Sequence, residues 1–489
     1  MRYQRVLLIQ PDYPGSHYQT PMFPLGLGYI AESLKSASIE YKVVDMGIER
    51  KYSKLKYKVQ DFHPDLIGIS MMSSMFRHHY KLADSLKADF SNIHIVAGGP
   101  HISTFRNQVL RDCRSIDYGV TLEGEITILE LCKGVNINEI KGLIFRKNDD
   151  ITYTGDRNFI TDLDSIPFPT YEGFEKYDAI SMNVISSRGC PYSCIYCSVK
   201  LNIGQKLRVR SAKNVVDEIE YWYERGYRRF NFSDDNFTFY KDRVYEICDG
   251  IDRCGFKIEM NCHNGVRADK VDRSLLERMR SVGFHRIAFG VEAGTDRVLK
   301  NIKKGERLEE ITKAIQVACD LGFEVTLFFL IGSPGEGPED LEESFKIARR
   351  YNINDVKFNN LIPFPGTELH RWVSENNYFV RSPEEYFHGR LQWDKEPIFQ
   401  TPTLSIKQRR EAFKRGMSMG RKLRSAWYYK YYKDSLSRLR MFAPIAAYLA
   451  SRNLVQEKLL RLSLLRYVRR TLKELGIFAP QSKVLKERD

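Results

Sequence analysis

The chain has 489 residues, room for about three domains at the usual 100–200 residues each. Apolar residues make up 43% and charged residues 28%, which excludes a disordered chain and a disulfide-stapled miniprotein. The net charge of +14 is unevenly spread: residues 401–489 hold 22 basic and 6 acidic side chains, so the remainder is close to neutral.

No run approaches the 18 or more consecutive apolar residues of a membrane-spanning helix. The opening MRYQRVLLIQPDYPG lacks the apolar core of a signal peptide. Nine cysteines without such a signal read as thiols or metal ligands of a cytoplasmic protein.

Short apolar runs at Val6–Gln10, Tyr41–Asp45, Asp65–Ser70 and Ile93–Gly99 predict buried strands. Helical patterns at 25–37, 76–89 and 103–112 alternate with them. Residues 1–140 are therefore expected to form a doubly wound, Rossmann-like parallel sheet. Ligands of such sheets sit beyond the carboxyl ends of the strands. Those ends carry Pro11-Asp12-Tyr13-Pro14-Gly15, Met71-Met72-Ser73-Ser74 and Gly98-Gly99-Pro100-His101.

Residues 142–155 read as a hairpin turning at Asn148-Asp149-Asp150, and 163–174 as a Pro-rich linker, so 141–182 joins two domains. Six further strands are expected at 183–188, 228–234, 257–262, 285–292, 324–332 and 355–363, with helices between them. Over 183–385 this predicts a partial (β/α)6 barrel of the TIM type, its site at the carboxyl ends of the strands.

Residues 386–489 read as a helical, basic tail. Leu460, Leu464, Val468, Leu472 and Leu475 form one apolar stripe, and Trp427–Lys433 mixes aromatics with lysines. Such a tail suits an anionic membrane surface, a phosphate-bearing partner, or a cap on the barrel. The apolar stretch 442–450 is too short to span a bilayer.

The main chemical signal is Arg188-Gly189-Cys190-Pro191-Tyr192-Ser193-Cys194-Ile195-Tyr196-Cys197. Three thiolates at C-x3-C-x2-C suit iron–sulfur or zinc ligation. A structural zinc site wants a fourth ligand, and the next cysteine is Cys248. Three ligands on a cubane leave one iron open.

This motif, after the first strand of a β/α barrel, resembles the radical S-adenosylmethionine superfamily. There the open iron chelates S-adenosylmethionine, and one electron cleaves it to methionine and a 5′-deoxyadenosyl radical. The resemblance implies a [4Fe–4S] cluster on Cys190, Cys194 and Cys197. It implies S-adenosylmethionine contacts from Tyr196, Ser233, Asp234, Asp235, Glu292, Gly332 and Pro334. Physically, carboxylates at strand ends suit an ammonium or ribose hydroxyls, but equally serve as helix caps.

A doubly wound domain ahead of such a barrel resembles the cobalamin-binding branch, through DLIGIS at 65–70, AGGPH at 97–101, Leu122-Glu123-Gly124-Glu125 and IPFPTY at 166–171. The cobalamin contacts implied are Ser70, Ser73, Ser74, Gly98, Gly99, Pro100, His101 and Glu123. The cobalt-ligating D-x-H-x-x-G motif is absent: Asp61-Phe62-His63 lacks its glycine, so His63 reads as a loop residue. His17, His78, His79 and His101 lie near strand ends, where structural roles are favoured over cobalt ligation. Cys113, Cys132, Cys248, Cys254 and Cys319 show no ligand spacing, and Cys262 ends the third barrel strand.

The function implied is a cobalamin-dependent methyltransferase acting through a 5′-deoxyadenosyl radical on an unactivated carbon, or a phosphinate, of a small-molecule or lipid-like substrate. Radical cyclisation or oxidation, RNA modification and a cobalamin or iron–sulfur sensor are the alternatives. An electron donor such as flavodoxin or ferredoxin is implied, with peripheral contact at the cytoplasmic membrane face through the tail. Nucleic acid is not favoured, because no all-β RNA-binding module is evident.

Overall fold

The computed structural model describes residues 2–12, 23–48, 51–147, 150–174, 179, 181–382, 396–435 and 444. The first sheet holds β1 (Arg5–Gln10), β2 (Glu40–Asp45), β3 (Leu66–Ser70), β4 (His94–Gly98), β5 (Tyr118–Val120), β6 (Leu143–Lys147) and β7 (Asp150–Tyr153). Its helices are α1 (Leu25–Ser36), α2 (Tyr52–Phe62), α3 (Phe76–Asp89), α4 (Pro100–Phe105), α5 (Asn107–Asp112) and α6 (Glu125–Lys133).

The strand order is β2-β1-β3-β4-β5-β6-β7. The first five strands are parallel, and β6 and β7 add an antiparallel hairpin. Apolar strands buried on both faces explain this double winding: one face packs Leu7, Ile67 and Ile95, the other Val6, Leu66 and Val96. Strand order reverses between β1 and β3, which opens a crevice at their carboxyl ends. The expected helix over 103–112 is instead α4 and α5, broken at Arg106, whose φ is 50°.

The second sheet runs β8 (Met182–Val184), β11 (Arg229–Phe232), β12 (Glu259–Val266), β13 (Phe284–Glu292), β14 (Glu324–Ile331) and β15 (Asp355–Asn360), all parallel and open at both edges. The six expected barrel strands are therefore present in the expected order. The first is shorter than 183–188, because β9 (Ser187–Arg188) leaves the sheet to pair antiparallel with β10 (Arg208–Val209).

The remaining helices are α7 (Val199–Asn202), α8 (Ala212–Glu224), α9 (Lys241–Arg253), α10 (Arg273–Ser281), α11 (Asp296–Asn301), α12 (Leu308–Asp320), α13 (Pro338–Arg350), α14 (Glu368–Glu375) and α15 (Ile406–Ser435). A polar row crosses the sheet in register. Asn261 donates to Asn231 (2.9 Å), which donates to Asn183 (3.2 Å) and Ser181 (3.0 Å), and Arg286 next in line pairs with Glu324 (2.6 Å).

The start of the expected tail belongs to the barrel. Ile398, Phe399, Leu404, Ala412 and Phe413 are in the barrel core. Helix α15 lies along the outer strand β15. A Cβ on Gly416 would sit 2.5 Å from Phe358, and Arg424 pairs with Asp355 at 2.6 Å. The leucine stripe 460–475, the hairpin turn at Asn148-Asp149, His17, and 442–450 apart from Pro444 lie outside the described residues.

Candidate active site

Arg188 ends β9, and the cysteine loop follows at once. Gly189 has φ +92°, and a Cβ there would sit 2.5 Å from the Lys206 carbonyl, so no other residue fits. The loop is held by backbone bonds from Cys190 to Gly204 (3.2 Å) and Ile195 to Ile302 (3.1 Å). The three thiols are partly buried and within electrostatic reach of one another. Burial pushes all three above the usual thiol range, Cys197 to about 11.

Among the described residues no three His, Cys, Asp or Glu side chains are arranged to hold a single metal ion. A cubane, whose sulfides separate its irons, takes thiolates from a wider spread.

The strand-end acids divide sharply. Asp234 accepts from the Ser186 hydroxyl (2.7 Å), the Ser187 hydroxyl (2.5 Å) and the Ser186 amide (3.2 Å). It is 2% exposed and fastens β11 to the turn into β9. Asp234, expected at the S-adenosylmethionine site, thus has this structural role in the fold. Asp235 beside it has no side-chain partner among the described residues, lies within electrostatic reach of Cys190 and Cys197, and is pushed up to about 6 by burial and by Asp234. Ser233, one residue earlier, is anchored by its amide to Val184 (2.9 Å).

Glu292 ends β13 with φ +66°, a strained conformation for a residue with a side chain. Its carboxylate takes a bond from Lys304 (3.2 Å) and one from the Tyr196 hydroxyl, which also reaches Cys194. Lys304 is buried and also pairs with Glu306 at 3.4 Å. Burial opposes its charge, but Glu292 and Glu306 more than offset this and raise its pKa. Arg267 continues the network, donating to the Lys304 carbonyl (2.7 Å) and lying 3.4 Å over the Tyr192 ring of the cysteine loop.

The loop after β14 is knotted on Glu336. Its carboxylate accepts from the Gly332 (2.6 Å) and Ser333 (3.2 Å) amides, and burial pushes it up to about 8. Pro334 offers its carbonyl to Asn301 (2.9 Å). Arg409 of α15 is fully buried against Gly332, where any side chain would collide with its guanidinium. It donates to the Ile331 (3.0 Å) and Phe399 (2.5 Å) carbonyls. Sequence reasoning missed Lys304 and Arg409; each acts through a fold contact that leaves no local motif.

A cavity of about 260 Å³ opens at the carboxyl ends of the first sheet and extends to the barrel. Ser70, Gly98, Gly99 and Glu123 line it, with Leu8, Gly68 and Val96 at its base and Ile185, Arg188 and Ile203 on the barrel side. Among the described residues, a Cβ on Gly26 would meet nothing within 4 Å. Its lining is mostly apolar, which suits a large planar cofactor.

Ser73, Ser74, Pro100 and His101 are outside the lining. His101, an expected cobalamin contact, is 2% exposed, bonded to the Tyr80 hydroxyl (2.8 Å) and stacked on Phe76 in the core. His79 is likewise buried, His78 pairs with Asp12 (2.6 Å), and His63 is an exposed left-handed helix cap. Cys262 is buried in the barrel core, as are Cys113, Cys132 and Cys248 in theirs.

Fold and site thus define a class: a doubly wound domain whose ligand cavity abuts the three-cysteine loop of an open β/α barrel. Comparison with known proteins agrees. The B12 binding domain model matches residues 15–132, and the Radical SAM superfamily model matches 184–348. An uncharacterized methyltransferase of Pyrococcus horikoshii is 30% identical over 78% of this chain and 85% of its own. The cytidylyl-2-hydroxyethylphosphonate methyltransferase of Streptomyces wedmorensis is 30% identical over 82% of this chain and 87% of its own. The fold matches that of the radical S-adenosylmethionine methyltransferase TsrM from Kitasatospora setae, solved with cobalamin and a [4Fe–4S] cluster, at a TM-score of 0.67 and 19% identity, covering 78% of this chain and 79% of that one. The chain belongs to the B12-binding radical S-adenosylmethionine family of enzymes.

Proposed function

We propose that this enzyme is a cobalamin-dependent methyltransferase acting on an unactivated carbon, or a phosphinate, of a small molecule. The observation that carries the reading is the shared border of the two sites: Arg188 lines the cavity and stands two residues before Cys190. When bound, the cluster with S-adenosylmethionine supplies a hydrogen-abstracting 5′-deoxyadenosyl radical, and cobalamin supplies the methyl group.

The protein's part is to bind and orient. Cys190, Cys194 and Cys197 hold the cluster and leave one iron without a protein ligand. Asp235, which has no side-chain partner among the described residues, receives the methionine ammonium. Glu292, fixed by Lys304 and Tyr196, faces the ribose. The amide-rich turn Gly332–Pro334 borders the adenine. Ser70, Gly98 and Gly99 let backbone approach the corrin.

A flavodoxin- or ferredoxin-class protein supplies the electron, and the basic carboxyl-terminal segment contacts anionic surfaces. The phosphonate-handling relative supports a small polar substrate.

The test is anaerobic reconstitution with cobalamin, iron and sulfide, followed by S-adenosylmethionine and a low-potential reductant such as reduced flavodoxin or dithionite. S-adenosylhomocysteine and 5′-deoxyadenosine are expected together on a methyl-accepting substrate. Deoxyadenosine alone would point to cyclising or oxidative chemistry. Cys194→Ala should abolish both cluster assembly and reductive cleavage; a variant keeping both would sink the assignment.

A further inference from the structure

We propose that Glu123, Glu125, Arg188 and Arg208 form a positioning clamp that sets the separation between the cobalamin cavity and the cysteine loop. The proposal rests on the function above and gives these residues, three of which border the cavity, a role beyond cofactor contact.

The four side chains meet at the domain border with only 3–10% of their surface exposed. Arg188 donates to Glu123 (3.0 Å) and lies 2.8 Å from Glu125. Arg208 donates to both oxygens of Glu123 at 2.8 Å. The Ile160 amide also binds Glu123 (2.8 Å), and Arg208 binds the Ile160 and Ile203 carbonyls, each at 2.7 Å. Arg188 also lies 4.6 Å over the Tyr29 ring. Glu123 borders the cavity, yet both its oxygens are already taken, which suits a scaffold better than a ligand contact.

The division of charge is the telling feature. The first domain contributes both acids and the barrel domain both bases. Antiparallel pairing of β9 with β10 sets Arg188 opposite Arg208. Two guanidiniums held side by side in a buried place repel each other unless acids intervene. The ribbon therefore needs the 122–125 loop of the other domain to be stable where it is. Buried ion pairs of this kind contribute geometric specificity more readily than net stability.

The clamp acts on the cysteine loop from its near side, two residues before Cys190. On the far side, α7 begins two residues after Cys197, and it packs against α4 of the first domain. Asn202 and Ile203 then line the cavity. The cysteine loop is thus gripped at both ends by the domain that holds the other cofactor. The gripping loop is itself fixed: Leu122 has φ +57°, and the Ser103 hydroxyl holds its amide at 2.9 Å.

The test compares the wild-type holoenzyme with Glu123→Gln, which keeps the shape but removes the charge. Iron and cobalamin content should be unchanged. Pulsed electron paramagnetic resonance between the reduced cluster and cob(II)alamin should give one narrow distance in the wild type and a broadened or shifted one in the variant. The ratio of 5′-deoxyadenosine to S-adenosylhomocysteine should rise at least tenfold, and Glu123→Asp should restore part of the coupling.

An unchanged distance and ratio in a fully loaded variant would overturn the clamp. So would loss of cobalamin alone, which would make Glu123 a ligand contact. If Glu123→Gln does not fold, Glu125→Gln removes one of the two acids on Arg188 and is read the same way. A wild-type protein that binds no cobalamin and forms no deoxyadenosine would refute the proposed function instead.

Discussion

Asp234 and Asp235 are neighbours with opposite fates. Asp234 spends its charge on Ser186 and Ser187. Asp235 is held up at about 6 by burial and its neighbour. In the cluster-free protein, folded Asp235 keeps a proton that the unfolded chain has released by about pH 4. Stability should therefore fall as pH rises from about 4 to 6, and stay lower above that. Asp235→Asn should flatten this dependence and stabilise the apoprotein at pH 7 by on the order of 1–3 kcal/mol, measured by calorimetry at pH 5 and 7. In reconstituted enzyme the same change should weaken S-adenosylmethionine binding at least tenfold by titration calorimetry. Unaltered binding would remove Asp235 from the site.

At the scale of elements, α15 shows how a late helix finishes a sheet. Gly416 lets it touch Phe358, and Gly420 lies against the Val356 carbonyl. Gly416→Ala must push the helix outward, at an expected cost of 1–3 kcal/mol in urea unfolding. No shift in the midpoint would mean that the helix is loosely seated. The strands were legible because both faces of a parallel sheet are buried and give continuous apolar runs. Helix α2, YSKLKYKVQDF, escaped because it buries only Leu55, Val59 and Phe62 among lysines. Strand β5 is three residues long, too short for any period. The cysteine triad was legible from spacing alone. Glu123 lines the cavity at the strand ends, but its ion pairs with Arg188 and Arg208 depend on two domains meeting, which no local pattern encodes.

Across the whole molecule, charge and catalysis are separated. Residues 436–489 hold 12 basic and 4 acidic side chains, while the body before residue 401 is near neutral. Among the described residues no helix is long and apolar enough to cross a membrane. A chain ending at Ser435 should keep the cofactor loading of the full chain, because it retains all of α15, which packs Phe413, Met417, Met419 and Leu423 on the barrel core. It should no longer co-sediment with anionic vesicles, binding that in the full chain should weaken with added salt. Equal sedimentation of both chains would separate the tail from that role.

Arg409 carries a consequence for biosynthesis. The turn at Gly332–Glu336 is made early, but the guanidinium that backs it lies more than seventy residues downstream. A nascent chain carries all three cysteines long before it carries Arg409. Until that residue emerges, the Ile331 carbonyl lacks its guanidinium donor. Order of synthesis thus separates the cysteine loop from the finished turn after β14, which is backed only once the start of α15 has emerged.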